Sequence, residues 1–202
     1  MFYRPGLDDH GLPHNPFKAI VSPRPIGWIG SLDSEGNANL APYSFFNALA
    51  DTPPLVMYSS TGTKPEGDAK DSVSNIGQRG EFTVSIVSRA LIDHMNLSSG
   101  FYAAGEDEFE LSGLEKGVPQ VIDTPFVAAA PAAFECKLWR IIELPGENNT
   151  MVIGEVVGVH LNDQVVTQEG LFDVQRYEPV ARLGYRDYSS VTEVFSLNRP
   201  GE

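Results

Sequence analysis

The chain has 202 residues, of which 42% are hydrophobic and 20% are charged. These values are typical of a soluble globular protein with one substantial core, and they exclude an intrinsically disordered chain. We therefore predict a single domain over residues 1–202. The formal net charge of −13 would repel a phosphate backbone, so we expect no nucleic-acid partner.

The sequence favours a cytoplasmic location. Its first residues, MFYRPGLDDHG, have neither the basic start nor the apolar run of a secretory signal peptide. The most apolar run, residues 126–134, is short and contains Pro131, so no membrane span is predicted. The single cysteine, Cys136, excludes an intramolecular disulfide and fits a reducing compartment.

The two ends of the chain are predicted to be irregular. Residues 1–16 are rich in proline and glycine and indicate an arm, and residues 189–202 indicate a tail. His10 and His14 lie in this arm, but the glycine and proline between them disfavour a helical metal pair, so we expect no metal site.

The arm is followed by a predicted β-hairpin. Ile26, Trp28 and Ile29 begin the first strand, residues 34–37 (SEGN) supply the turn, and residues 39–42 continue the second strand. The next residues, Tyr43-Ser44-Phe45-Phe46-Asn47, are predicted to form an irregular loop. Two adjacent phenylalanines with a polar rim would suit a planar heterocycle with polar edges.

Further along, residues 55–59 predict a strand that is buried on both faces, and residues 82–87 predict a half-buried strand. Between them, Asp71 or Ser72 is expected to cap a short helix that ends near Gly77 or Gly80. A lysine beside a helix start is a ready anion site, so Lys70, Ser72 and Asn75 become candidates for binding phosphate. Taken alone, this stretch favours an ordinary capped helix with a solvated lysine over a phosphate site.

The second half of the chain predicts another hairpin, with strands at residues 134–144 and 151–161. Residues 98–125 are glycine-rich and carry aromatic side chains. Two interpretations stay open for them: a lid or dimer arm over a cofactor, or an excursion whose aromatics belong to the core. The number and spacing of strands indicate a mainly β barrel with a few short helices.

No motif for nucleophilic or metal catalysis, and no nucleotide-binding glycine loop, occurs in the sequence. If the protein is an enzyme, a cofactor should therefore carry the difficult step.

Several motifs resemble the flavin reductase-like proteins, the FMN-binding split-barrel family. They are SPRPIGWIG at residues 22–30, NLAPYSFFN at residues 39–47, DTPPLVMYS at residues 51–59, and Lys70-Asp71-Ser72 with Asn75. The resemblance implies a Greek-key-like split β-barrel, FMN bound at a homodimer interface, its ring near residues 39–47 and its phosphate near residues 70–75. The cofactor-binding residues implied are Trp28, Asn39, Ala41, Pro42, Ser44, Phe45, Phe46, Asn47, Ser59, Lys70, Asp71, Ser72 and Asn75.

The resemblance implies an FMN-dependent oxidoreductase that takes hydride from NADH or NADPH. Its acceptor would be free flavin, a partner monooxygenase or a small molecule. The alternatives are a non-catalytic FMN-binding or electron-transfer module reduced by another protein, and a dimeric binding module without cofactor. Asn148 and Asn149 occupy the position where many relatives carry a histidine near the flavin, which leaves the electron donor open.

Overall fold

The computed structural model describes residues 1–63, 70–103 and 105–201. The strands are β1 (Arg24–Pro25), β2 (Gly27–Leu32), β3 (Ala38–Tyr43), β4 (Phe46–Asp51), β5 (Pro54–Ser60), β6 (Glu81–Ile86), β7 (Lys116–Gly117), β8 (Phe126–Val127), β9 (Ala132–Glu143), β10 (Thr150–Leu161), β11 (Val180–Arg182) and β12 (Tyr188–Ser190). The α-helices are α1 (Phe17–Ile20), α2 (Asp71–Arg79), α3 (Ile92–Leu97), α4 (Glu108–Leu111) and α5 (Val174–Tyr177). The predicted mainly β fold with a few short helices is confirmed.

The body of the molecule is a seven-stranded antiparallel sheet with the order β3-β2-β6-β9-β10-β5-β4. Both predicted hairpins are present in it, as β2–β3 and as the long β9–β10 pair. A separate three-stranded sheet, β1-β11-β12, joins the start of the chain to its end. This small sheet places Arg24 opposite Arg182, although the two residues are far apart in the sequence.

The segment after the first hairpin differs from the prediction. Tyr43 still belongs to β3, and Phe46 already begins β4, so the predicted irregular loop is reduced to a turn at Ser44 and Phe45. β4 pairs with β5 in antiparallel register, with Phe46 opposite Tyr58. This pairing satisfies backbone groups that a loop would leave to solvent, a long-range effect that the local sequence does not reveal.

Two hydrophobic clusters form the core. One lies between the large sheet and α2 and includes Tyr58, Phe82 and Ile76. The other lies on the opposite side of β2 and β3 and includes Trp28 and Phe109. The two clusters cover both faces of β2, which is buried along its whole length.

Burial in two strands is the reverse of the prediction. β5 alternates between buried and more exposed residues, whereas β6 is buried at four consecutive positions. β5 lies beside the sheet edge, and β6 lies in the middle between β2 and β9. The position in the sheet, rather than the strand's own pattern, decides its burial.

The helices are short, and among the described residues none has both the length and the apolar character of a membrane span. The longest, α2, ends where predicted, at Gly80 with φ of +73°. After Ser88, a 3₁₀ turn at Arg89–Leu91 leads into α3. Ser88 makes no side-chain capping bond there and instead bridges Pro179 through its backbone.

Candidate functional site

A cleft of about 290 Å³ opens between β3, the start of α2 and residues 98–103. The sequence-predicted residues that line it are Asn39, Ala41, Pro42, Lys70, Asp71 and Ser72. Two motifs that are separated in sequence therefore meet at one surface.

A chain of buried polar side chains fixes one wall of this cleft. The Asn39 amide donates to Ser31 Oγ at 3.3 Å and to Ser72 Oγ at 3.1 Å. Asn75 also donates to Ser31 Oγ, at 3.3 Å. All four side chains are buried, so these bonds hold β2, β3 and α2 in a defined relation.

The start of α2 forms the charged end of the cleft. Lys70 is the N-cap residue and makes no side-chain capping bond, so the prediction that Asp71 or Ser72 caps the helix is wrong. The Lys70 ammonium lies 5.5 Å from the centre of the Tyr43 ring. Burial lowers the pKa of Lys70, and the nearby Lys18 lowers it further. Among the described residues, no carboxylate forms an ion pair with Lys70.

Residues 98–103 and Glu108 also line the cleft, and the sequence did not single them out as site residues. Phe101 is 83% exposed at the rim, and the Tyr102 hydroxyl donates to the Leu97 carbonyl at 2.8 Å. Phe109, by contrast, is fully buried in the core. Phe109 thus packs in the core, as one interpretation of residues 98–125 has it, whereas a lid or dimer arm formed by residues 98–103 stays a prediction.

Glu108 is a buried carboxyl that borders the cleft. It accepts a hydrogen bond from the Leu40 backbone amide at 2.9 Å. Burial raises the pKa of Glu108, and the nearby Asp71 and Asp107 raise it as well, while the backbone bond from Leu40 opposes them. The only sequence signal for it was a local acidic run.

Ser44 lines a second cavity of about 350 Å³, which shares Pro42 and Ser99 with the cleft. The Phe45 ring lies below two cations, with Lys18 Nζ and Arg24 Cζ each 5.8 Å from its centre. Asn75 borders a smaller cavity together with Asn39 and Asp71.

Besides Ser44, Phe45 and Asn75, four further predicted residues do not line the cleft. Trp28 is fully buried in the core, where its indole nitrogen donates to Ser98 Oγ at 2.8 Å and so supports the cleft wall from behind. Phe46 and Asn47 line a separate apolar groove beside β10. Ser59 lies in β5, where its backbone amide donates to the Phe45 carbonyl at 2.7 Å.

Comparison with known proteins decides the family. Residues 21–181 match the model of the flavin reductase like domain. The chain belongs to this family. It resembles nitrilotriacetate monooxygenase component B from Bacillus cereus, with 29% identity, 98% of each chain covered and a TM-score of 0.88.

Two other solved structures agree. The 2-nitrobenzoate 2-nitroreductase NbaA from Pseudomonas fluorescens is 32% identical, covers 92% of this chain and 89% of its own, and has a TM-score of 0.80. A split-barrel protein of the flavin reductase type from Shewanella frigidimarina is 27% identical, covers 91% of this chain and 89% of its own, and also has a TM-score of 0.80. The predicted split-barrel fold is therefore confirmed.

Residues 148–149, where the resemblance implies a histidine in relatives, form a tight turn in this chain. Asn148 adopts a left-handed conformation with φ of +53°, and the Asn149 amide donates to the Pro145 carbonyl at 2.9 Å. Both residues thus have local roles in connecting β9 to β10.

Proposed function

We propose that this protein is an FMN-dependent oxidoreductase of the flavin reductase type, which takes hydride from NADH or NADPH. The observation that carries this proposal is the cleft in which Lys70, at the start of α2, meets the polar wall of Asn39 and Ser72. Family membership makes a flavin the expected occupant.

The residues present fit a flavin nucleotide. Lys70 supplies a positive charge without a carboxylate partner among the described residues, beside a helix N-terminus that also favours an anion. Asn39 and Ser72 supply polar groups that their mutual hydrogen bond already orients. Ala41, Pro42 and the Tyr43 ring supply an apolar surface for a flat ring system.

When bound, FMN supplies the redox chemistry by accepting a hydride with its two electrons and passing the electrons on. The protein's own contribution is binding and orientation. Lys70 and the α2 start would hold the phosphate, and the β3 backbone from Asn39 to Pro42 would support the ring. Residues 98–103 also border the cleft.

The neighbours suggest two classes of acceptor. One is a component of a monooxygenase, and another reduces a nitroaromatic acid. A partner monooxygenase, free flavin or a small acceptor therefore all belong to the proposed function.

We include a homodimer in this proposal. β4 is an edge strand of the large sheet, and most of it is exposed. With β5 and β10 it borders a groove of about 680 Å³, lined by apolar residues such as Val56, Val157 and Val159. Phe46 and Asn47 lie in this groove, so a second copy seated there would cover two of the predicted FMN-binding residues. A solution mass of one chain in the presence of FMN would contradict the dimer.

The direct test is anaerobic reduction. NADH or NADPH is added to the protein with FMN, and bleaching of the flavin absorption bands is followed against free FMN at the same concentration. Bleaching faster than that of free FMN supports the oxidoreductase. Bands that bleach only with dithionite would instead indicate the electron-transfer module, and an unchanged FMN spectrum on mixing would remove the flavin role.

A further inference from the structure

A second cavity, of about 350 Å³, collects positive charge from three separate parts of the chain. Lys18 comes from α1, Arg24 from β1 and Arg182 from β11. We call this cavity the basic pocket. Its lining includes no acidic residue, although the protein as a whole carries a net charge of −13.

The backbone places the two arginines of the basic pocket side by side. Arg24 and Arg182 are directly opposite partners in the antiparallel β1–β11 ladder. Like charges in opposite positions destabilise a sheet, so this arrangement is unfavourable unless an anion lies between them. Arg182 also lowers the pKa of Arg24, after the larger effect of burial.

Arg24 is buried, with 6% of its surface exposed, yet it has only neutral partners. Its guanidinium donates to the carbonyls of Lys18, Val21 and Leu183, the last at 2.6 Å, and its Nε lies 3.5 Å from Ser44 Oγ. Among the described residues, no carboxylate forms an ion pair with any of the three cations. A buried charge with neutral partners alone is costly, and this cost indicates a missing anion.

The basic pocket adjoins the candidate cleft, because Pro42 and Ser99 line both. A molecule held here by an anionic group can therefore extend toward the proposed ring site. Tyr188 adds an aromatic wall, with its ring centre 4.3 Å from the Arg182 guanidinium.

We infer that the basic pocket binds the oxyanion, phosphate or carboxylate, of the molecule that exchanges electrons with the flavin. This inference rests on the proposed function. Arg182 suits this chemistry, because a guanidinium presents a planar fork of donors that matches a phosphate or a carboxylate. Arg24, whose N–H groups donate mainly to backbone carbonyls, adds positive charge beside it. Lys70 lies on the other side of the shared wall and is assigned to the flavin's own phosphate.

The first test is calorimetric titration of inorganic pyrophosphate and of benzoate into the protein saturated with FMN. Arg182→Gln removes one charge of the pocket and keeps the polar character of the side chain. We expect it to weaken binding of at least one of the two probes by about tenfold. Arg186→Gln is the matched control, because Arg186 is an exposed arginine in the same segment and does not line the pocket.

The second test is kinetic and separates the sources of the oxyanion. Arg182→Gln should lower kcat/KM for NADH and NADPH by about tenfold, mainly through KM, if the anion is a dinucleotide phosphate. The reductant 1-benzyl-1,4-dihydronicotinamide carries no anion, so its kcat/KM should not change. If the anion is instead an acceptor carboxylate, benzoate binding falls while KM for NADH stays constant.

Three results would overturn the inference. One is failure of both probes to bind, or equal binding to the wild type and to Arg182→Gln. Another is an equal kinetic loss with 1-benzyl-1,4-dihydronicotinamide. The third is a loss of FMN affinity in Arg182→Gln with riboflavin affinity unchanged, which would assign the pocket to the flavin's phosphate.

Failure of the proposed function gives a different pattern. If FMN does not bind at all, the same titrations are made on the Lys70→Ala protein without flavin. If pyrophosphate or benzoate binds to this protein and the binding depends on Arg182, the basic pocket is still an anion site. The proposed flavin role is contradicted in that case. Arg24→Lys, which retains the buried charge, serves as a second variant if Arg182→Gln does not fold.

Discussion

Two regions of the molecule differ in whether the chain supplies partners for their charged side chains. Glu135 on β9 is fully buried and accepts hydrogen bonds from three consecutive backbone amides, those of Gln120, Val121 and Ile122, at 2.7–2.9 Å. Its Oε1 also lies 2.6 Å from His160 Nε2. The chain therefore supplies a complete set of partners for this carboxylate.

The opposite case is the cationic side formed by Lys70 and the basic pocket. There the described residues offer backbone carbonyls and aromatic faces to the cations, but no ion-paired carboxylate. The difference between Glu135 and these cations indicates where the molecule requires a ligand. A buried charge that the fold satisfies is structural, whereas clustered charges that the fold leaves without counter-charge indicate an external anion.

The largest effect is expected at Glu135, whose hydrogen-bond partners the chain itself supplies. Glu135→Gln turns one acceptor oxygen into a donor that faces backbone N–H groups, so we expect a loss of roughly 2 kcal/mol in the free energy of unfolding. FMN affinity should not change, because Glu135 lies away from the cleft. Chemical unfolding measures the effect, and Glu143→Gln, an exposed position on the same strand, is the control. Equal stability of the two variants would contradict a structural role for Glu135.

The next largest effect is expected at Lys70 and should appear in the affinity for FMN. Lys70→Ala removes a charge-assisted contact to phosphate, so FMN affinity should fall by about tenfold while riboflavin affinity stays the same. The free energy of unfolding without ligand should hardly change, because no ion pair of the described residues is lost. Lys137→Ala, at an exposed position on β9, is the control. Unchanged FMN affinity at physiological salt would remove Lys70 from the site.

The smallest effect is expected at Glu108. This carboxyl has one backbone hydrogen-bond partner and borders the cleft, so it is intermediate between Glu135 and the cations that have no ion-paired carboxylate among the described residues. Its pKa is raised in the folded protein, so its stabilising contribution is complete below the ordinary value of 4.5 and is lost as the pH rises through the folded value. Glu108→Gln should therefore match the wild type in Tm at low pH and exceed it by about 1–2 °C at neutral pH. A Tm difference that does not depend on pH would contradict this prediction.

Local sequence was enough to predict the two hairpins and an end of α2 near Gly77 or Gly80. The expectation that residues 39–47 and 70–75 share one site came from the family resemblance. Turn residues and the family motifs carry this information within a few positions. β4 was not predicted, because its pairing with β5 depends on the sheet rather than on the residues 46–51 themselves. The burial of β5 and β6 was wrong for the same reason.

The basic pocket was not predicted, although Arg24 lies inside the SPRP motif. The role of Arg24 in the pocket depends on Arg182, which becomes its neighbour only through the β1–β11 pairing near the other end of the chain. Residues 98–103 were left open because a glycine-rich segment gives no periodicity from which to infer its path. Such contacts are properties of the folded chain and are absent from any single stretch of sequence.

The measurement that tests the account most directly is a fluorescence titration of FMN with the purified wild-type protein, run in parallel with riboflavin. If Lys70 and the α2 start bind a flavin nucleotide, FMN fluorescence should change in a saturable way, and FMN should bind more tightly than riboflavin. Riboflavin and FMN binding equally, or neither binding at all, would contradict the assignment of Lys70 and the α2 start to the cofactor phosphate.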